Sequence, residues 1–370
     1  MKNKTLLLLL LVSSILYFIK LPISPIYIVT PVIYFVFLLK MKHYSFYKED
    51  SAVIIIIIIT ALYTILYQPF LMSNIGMYLN TIISLINVLV IYFTARNLSE
   101  SEFEDTLYTF LKISIFILIF ELIYRIINPI YIEDILLAKK DLFIYPYKRN
   151  SIMFVDSNYT AILILTLISL FHINLINIKK YKYTYISLLI LLLLTFSRSA
   201  IFVYIFICIT LQLNKLISFS KHKNFNRSIT FLICILLLFL TTLLFDKQNI
   251  SDGSFQSKFK LLNLMYEISN EKGIIFSLFG GGIGNSHNII GMGAHNILVL
   301  LYFEYGFIFF IFLLLILLFS VFKEKNNLYI FWFIFFINGM SLSFFLAFVF
   351  IPLGLRLARN NGRYSCLNKN

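Results

Sequence analysis

The chain has 370 residues, of which 60% are hydrophobic and only 13% are charged. Soluble domains carry about 25% charged residues, so this composition excludes an ordinary soluble protein. The formal net charge is +14, but no polar segment is large enough to form a basic domain, which excludes nucleic acid as a partner. The apolar runs are continuous rather than alternating, and they favour an all-α polytopic membrane protein over a barrel.

If each apolar run is a helix that crosses a hydrocarbon core of ~30 Å, the sequence predicts about twelve transmembrane helices, with eleven as the lower count. They lie near 5–19, 25–39, 52–68, 75–95, 107–127, 158–176, 183–197, 199–213, 229–245 and 297–322, with a last stretch, 328–357, split near Gly339. The run 183–213 would be about 46 Å long as one helix, so we expect two helices that turn at Ser197-Arg198.

Lysine and arginine are concentrated in the short connections, which by the positive-inside rule places both termini in the cytoplasm. This topology describes a multi-pass protein of the cell membrane with a single integral membrane domain, 1–370. Two long segments, 128–157 and 246–295, then become extracytoplasmic loops. The second loop has an amphipathic pattern, and we expect it to contain short helices.

No metal or other cofactor is expected from the sequence. The three cysteines, Cys208, Cys234 and Cys366, form no Cys-x-x-Cys pair, so neither a disulfide framework nor a thiolate site is indicated. No cluster of carboxylates follows a metal-binding pattern on the predicted outer side.

Arg198 interrupts a long apolar run and is flanked by Ser197 and Ser199. A charge beside lipid is costly, and by default it indicates function. An arginine can bind phosphate through two parallel hydrogen bonds, and the two serine hydroxyls would add donors. The alternative is an arginine at a helix end that reaches toward lipid headgroups.

His295 lies where the second long loop meets an apolar run, after glycines at 280–282 and 284. Imidazole is suited to proton transfer near neutral pH, which makes His295 a candidate general base. Asn296 could instead mark this position as a helix N-cap. Gly282 and Gly284 would let backbone approach a ligand closely, or they would make the loop mobile.

Basic residues in both long loops, Arg149 and Lys258 among them, suggest an anionic ligand such as a lipid diphosphate. Glu121 and Arg125 are spaced i,i+4, and we interpret them as a structural pair. Glu304 lies nine residues after His295 and so points to the opposite side of a regular helix. We keep Glu304 as an alternative base.

Four segments carry a resemblance to a known family. They read RNSIMFVDSN from Arg149, LLLLTFSRSAIFV around Arg198, FGGGIG from Phe279 and AHNILVLLYFEYGFIFF from Ala294. In order and spacing they resemble the O-antigen polymerase and O-antigen ligase superfamily, which includes the Wzy-type polymerases. Lys258 stands where that family often has an arginine.

The resemblance implies a metal-independent glycosyltransferase. An acceptor sugar hydroxyl would attack the anomeric carbon of a glycan linked to undecaprenyl diphosphate, and the lipid diphosphate would leave. His295 would be the base, and Arg198, with Lys258 and Arg149, would stabilise the diphosphate. The remaining substrate-binding candidates are Ser197, Ser199, Gly282, Gly284 and Asn296.

The leading hypothesis is therefore polymerisation of lipid-linked repeat units into an O-antigen, a capsule or an exopolysaccharide. Its partners would be the undecaprenyl-diphosphate-linked oligosaccharide, the lipid bilayer, and flippase and chain-length regulator proteins. The first alternative is a ligase that moves the finished glycan to another acceptor. The second is a non-enzymatic flippase or permease, which would need a polar path through the helices.

Overall fold

The structure is a computed structural model that describes residues 2–41, 51–130, 147, 150–154, 156–216, 253–291, 296–323, 327–337, 339 and 345–359. All regular secondary structure in these residues is helical, which confirms the predicted all-α class. The structure gives no account of the predicted span 229–245, which lies outside the described residues.

The helices of the first half are α1 (Asn3–Ser13), α2 (Ile26–Leu39), α3 (Ser51–Tyr67), α4 (Ile75–Arg96), α5 (Glu100–Ile127), α6 (Ser157–His172), α7 (Lys182–Leu193) and α8 (Arg198–Leu216). Those of the second half are α9 (Gly253–Phe279), α10 (Ser286–Ile290), α11 (Ile297–Leu300), α12 (Gly306–Lys323), α13 (Tyr329–Ile337) and α14 (Ile351–Ala358). A π-helical turn, Leu301–Tyr305, joins α11 to α12.

Short polar side chains set where several helices begin. Asn74 accepts the Met77 N–H at the start of α4, and Asp156 accepts the Asn158 N–H at the start of α6. At the start of α5, Ser99 and Glu102 form a reciprocal capping box. Each cap satisfies backbone donors that the first turn of a helix leaves without partners.

Successive long helices reverse direction, which gives the bundle two ends. We call one the terminal end; it contains Lys4, the α4–α5 connection and the α6–α7 connection. There Lys4 Nζ lies 3.4 Å from Asp105 Oδ2, and Arg359 Nη2 donates to the Leu98 carbonyl at 3.0 Å. The opposite loop end contains the connections 68–74, 194–197 and 280–286.

Three helical stretches are long and apolar enough to cross a membrane, by length and composition: Ala52–Phe70, Ile75–Arg96 and Ile297–Ser320. The other apolar helices in the described part of the chain have only 10–17 residues. At 1.5 Å per residue, a helix such as α7 extends about 18 Å, well short of a ~30 Å hydrocarbon core. The described helices therefore do not confirm the predicted twelve spans.

Large apolar side chains nevertheless point outward along several helices. Phe35 on α2, Leu66 on α3 and Phe116 on α5 are 63%, 67% and 74% exposed. A soluble protein rarely leaves so many large apolar groups in water, so this surface is suited to contact with lipid.

Two predicted interruptions of long apolar runs are confirmed. The helix α7 ends at Leu193 and α8 begins at Arg198, so the chain turns where the run 183–213 was too long for one span. The last apolar stretch is also interrupted: α13 ends at Ile337, and the 3-10 turn before α14 begins at Ala347.

The second long loop was expected to contain short helices, and the described part of it is helical in two places. It contains the 27-residue helix α9, which kinks at Gly273, where φ is 80°, and the five-residue helix α10. The run 297–322 was expected to be one regular helix, but Gly306, with φ 78°, interrupts it after the π-helical turn.

Candidate functional site

The turn between α7 and α8 packs against the first turn of α6. Ser197 is buried, and its Oγ donates to Asn158 Oδ1 at 2.9 Å. Ser157 Oγ donates to the carbonyl of Thr195, also at 2.9 Å. Two of the four motif segments, 149–158 and 191–203, are therefore joined by hydrogen bonds at the loop end.

Arg198 is the first residue of α8, and its side chain is exposed. Ser199 Oγ lies 3.3 Å from Ser197 Oγ beside it. The preceding Phe196 has a left-handed φ of 51°, which is uncommon for a bulky residue and marks a tight turn. An exposed guanidinium flanked by hydroxyls at this turn can bind an anion or reach toward headgroups, so both interpretations of Arg198 stay open.

A buried ion pair lies beneath this turn. Arg125 Nε is 2.8 Å from Glu121 Oε1, and both side chains are about 1% exposed, which confirms the predicted structural pair. The Arg125 guanidinium lies over the ring of Tyr147, 4.8 Å from its centroid, and Tyr147 Oη donates to the carbonyl of Leu194 at 2.6 Å. The pair is thus connected to the turn through Tyr147, a loop residue that no sequence pattern singled out.

The other two motif segments also meet, at a contact that we call the glycine junction: Gly280–Gly284 against Phe303–Gly306. Gly281 N–H donates to the carbonyl of Phe303 at 2.7 Å, and Gly282 N–H donates to that of Glu304 at 3.1 Å. A Cβ atom at Gly280 would lie 2.6 Å from the Glu304 carbonyl oxygen. Only glycine leaves room for two backbones this close.

The connection after α3 completes the glycine junction. Gln68 is fully buried; its Oε1 accepts the Ile283 N–H at 3.1 Å, and its Nε2 lies 3.5 Å from the Glu304 carbonyl oxygen. Asn285 Nδ2 donates to the carbonyl of Leu71 at 2.6 Å. Sequence reasoning missed Gln68, although a polar residue at the end of an apolar run, just before Pro69, was a usable signal.

Gly282 and Gly284 approach protein backbone, which corrects the ligand-binding role expected for them. A Cβ atom at Gly282 would overlap the Leu71 carbonyl, and one at Gly284 would lie 2.5 Å from Asn74 Cβ. Their left-handed φ values, 93° and 85°, also favour glycine. The described glycines at 280–284 therefore pack against other parts of the protein, and they form neither a mobile loop nor an open binding site for a ligand.

Glu304 is also part of the glycine junction. Its side chain is buried, and Oε1 accepts the Ser286 N–H at 3.3 Å. Glu304 is a carboxylate inside an apolar run, and the loop backbone holds it in place, which indicates a structural role. The hydrogen bond from the Ser286 N–H therefore weakens the assignment of Glu304 as the alternative base.

Asn296 is the N-cap of α11, as its position predicted: its Oδ1 accepts the Leu298 N–H at 3.0 Å. The same side chain is fully buried, and its Nδ2 makes no hydrogen bond to any residue that the structure describes. Within the described residues, both N–H donors of the Asn296 side-chain amide are therefore without a partner.

Three predicted site residues cannot be placed against these features. His295 and Arg149 lie outside the described residues, and for Lys258, in α9, the structure describes only the backbone. Among the described residues, no group of three or more histidine, cysteine, aspartate or glutamate side chains could hold a metal ion.

Comparison of the chain with models of protein families, with curated proteins and with solved structures finds no match.

Proposed function

We propose that this protein is a metal-independent glycosyltransferase that polymerises undecaprenyl-diphosphate-linked oligosaccharide repeat units into a surface polysaccharide. The observation that carries the proposal is the pairing of the four motif segments at one end of the bundle. Segment 149–158 bonds to the turn at 194–199, and 279–284 bonds to 303–304. Residues that resemble one family's motifs and lie far apart in the chain thus share one end.

The proposed reaction forms one bond and breaks one. The acceptor hydroxyl oxygen bonds to the anomeric carbon of the donor glycan, and the bond from that carbon to the lipid diphosphate breaks. The hydroxyl proton passes to His295, and the negative charge that develops on the diphosphate is stabilised by Arg198. Fixed cations aimed at developing charge are commonly the largest catalytic contribution, and an exposed arginine beside Ser199 supports this role.

The proposal includes a topology with about twelve membrane passages, both termini in the cytoplasm, and the loop end facing outward. The alternating helix directions support it, since Lys4 in α1 and Arg359 just after α14, the last helix that the structure describes, both lie at the terminal end. On this topology the exposed Arg198 faces the side where lipid-linked sugar is presented.

Removal of the gene from the source cell distinguishes this function from its alternatives. Loss of a polymerase leaves lipid-linked single repeat units on the outer face of the membrane. Loss of a ligase leaves lipid-linked polymer, and loss of a flippase leaves single units on the inner face. Mass spectrometry of extracted lipids, with a membrane-impermeant sugar label to mark the outer face, separates the three outcomes. Either of the latter two would overturn the proposal.

Complementation of that strain tests the two catalytic residues. We expect His295→Ala to abolish chain growth, because loss of a general base costs on the order of 10²–10⁴ in rate. Arg198→Lys keeps the charge but loses the two-pronged geometry, so most polymer should disappear. Lys20→Gln is the control, because Lys20 is an exposed cation of the loop end outside the motif segments. Normal polymer in stably expressed His295→Ala and Arg198→Lys strains would remove both assignments.

A further inference from the structure

The helix α9 changes its chemical character at Gly273. The six residues before it, 267–272, include two glutamates, a serine, an asparagine and a lysine, whereas five of the six residues after it, 274–279, are apolar. Gly273 has a φ of 80°, a value that glycine adopts readily, and it divides α9 into two helical parts. No atom of the described residues lies within 4 Å of a Cβ position there. Glycine at 273 is therefore required by the bend of the backbone and not by close packing. We call residues 274–279 the α9 apolar segment.

Contacts with the π-helical turn hold α9 on both sides of this bend. Tyr302 Oη lies 2.6 Å from Ser269 Oγ, before the bend, and donates to Ser277 Oγ, after it, at 2.9 Å. The ring of Phe276 lies against that of Phe303, with 6.1 Å between the centroids. The α9 apolar segment therefore has a fixed position beside the glycine junction.

The first two residues of the α9 apolar segment are large, apolar and exposed. Ile274 is 75% exposed and Ile275 is 72% exposed. The charged side chain of Lys272, just before the bend, is exposed as well. Adjacent exposed isoleucines in water are unfavourable, because apolar surface is stabilised by its removal from water.

The α9 apolar segment lies beside a helical stretch of membrane length. The ring of Phe279, its last residue, contacts the ring of Tyr67, with centroids 5.2 Å apart. The Phe279 carbonyl also accepts a hydrogen bond from Tyr63 Oη at 3.3 Å. Both tyrosines belong to the stretch Ala52–Phe70, in which the neighbouring Leu66 is 67% exposed. The segment therefore packs at the end of an exposed apolar surface that is suited to lipid.

We propose that the α9 apolar segment inserts Ile274 and Ile275 into the interface of the outer leaflet, with Lys272 at the level of the lipid phosphates. The inference rests on the topology within the proposed function, in which the loop end faces outward. An interfacial helix buries its apolar side chains about 5–10 Å into the headgroup and acyl boundary and keeps its cations toward the headgroups. The order of residues across the bend, charged and then apolar, fits such a lipid surface. The inserted segment would fix the glycine junction at the membrane surface.

Spin labels measure the surroundings of these side chains without any need for enzymatic activity. The full-length protein, with its three native cysteines replaced, carries one label at a time at Ile274→Cys or Ile275→Cys and is reconstituted in vesicles of phosphatidylcholine and phosphatidylglycerol. Collision rates with oxygen, which concentrates in lipid, and with a water-soluble nickel chelate are then compared. Asn270→Cys is the matched control in water, because Asn270 is exposed on α9 before the bend. Phe116→Cys is the reference in lipid, because Phe116 is 74% exposed near the middle of α5.

We expect the labels at 274 and 275 to collide more with oxygen than with the chelate, at a depth shallower than that of position 116. The label at 270 should show the reverse preference. Chelate collisions at 274 and 275 that match those at 270 would overturn the proposal. Low collision rates with both reagents, together with dipolar broadening between labels, would assign the isoleucines to a contact with a second copy of the chain and would also overturn it.

The reference position separates this inference from the topology on which it rests. Oxygen preference at position 116 combined with chelate preference at 274 and 275 would remove only the lipid contact of α9. Chelate preference at position 116 as well would remove the proposed membrane topology, and this inference with it.

Discussion

At the scale of single residues, Glu304 shows how a candidate base can have another task. In the sequence it is the only charge within a long apolar run, which made it an alternative to His295. In the structure its Oε1 accepts the Ser286 N–H, while its backbone carbonyl accepts the Gly282 N–H. We interpret Glu304 as a positioning residue that holds the loop before His295.

A pair of substitutions separates this role from catalysis. Glu304→Gln keeps an oxygen that can accept the Ser286 N–H but cannot act as a base, so polymer formation should stay near the wild-type amount. Glu304→Ala leaves that buried donor without an acceptor, which costs roughly 1–3 kcal/mol of stability. Polymer length per membrane-inserted protein and the Tm in detergent measure the two effects. A stable but inactive Glu304→Gln protein would instead make Glu304 the base.

At the scale of structural elements, the glycine junction explains why the run after Asn296 is not a regular helix. Gly306 has a φ of 78°, outside the helical region, and a Cβ atom there would overlap the Leu278 carbonyl. The preceding π-helical turn, Leu301–Tyr305, directs the Phe303 and Glu304 carbonyls toward the N–H groups of Gly281 and Gly282. Such π-turns within α-helices are frequent at functional sites.

Two glycines with positive φ isolate the effect of close packing. Gly282 (φ 93°) faces the Leu71 carbonyl, whereas no atom of the described residues lies within 4 Å of a Cβ position at Gly291 (φ 74°). Alanine at either site meets a penalty for a positive φ of about 1–2 kcal/mol. Gly282→Ala adds overlap worth roughly 1–3 kcal/mol more. We expect Gly282→Ala to lower the Tm clearly more than Gly291→Ala; equal Tm values would contradict the close packing.

At the scale of the whole molecule, the two ends differ in chemistry. The loop end carries the motif segments and the exposed Arg198, and the terminal end carries a cavity that Arg356 and Arg359 line. If the chain lies in a membrane as proposed, the two ends face opposite compartments.

Cysteine labelling tests that arrangement in intact cells, in a background where Cys208, Cys234 and Cys366 are replaced. Lys272→Cys should react with a membrane-impermeant maleimide, because Lys272 is exposed and lies in the predicted extracytoplasmic loop 246–295. Lys179→Cys, exposed at the terminal end, should react only after the cells are opened. The reverse pattern would invert the topology and take Arg198 and His295 away from the lipid-linked sugar.

The sequence by itself determined the features that depend on short stretches of chain. Apolar composition and run length predicted the helical class, and a run too long for one span predicted the turn before Arg198. The i,i+4 spacing predicted the Glu121–Arg125 pair, and residue type predicted the Asn296 cap. Each follows from local geometry, because helix rise, side-chain periodicity and N-cap hydrogen bonds involve neighbouring residues only.

Only the tertiary structure decided what distant segments do to one another. It turned Gly282 and Gly284 from expected ligand contacts into contacts with Leu71 and Asn74. It also revealed Gln68 as a buried link in the glycine junction. In the described chain it leaves three helical stretches that are both long and apolar enough to cross a membrane. A glycine's freedom allows close approach, but which backbone comes close depends on how the helices pack, and no pattern within one segment contains that information.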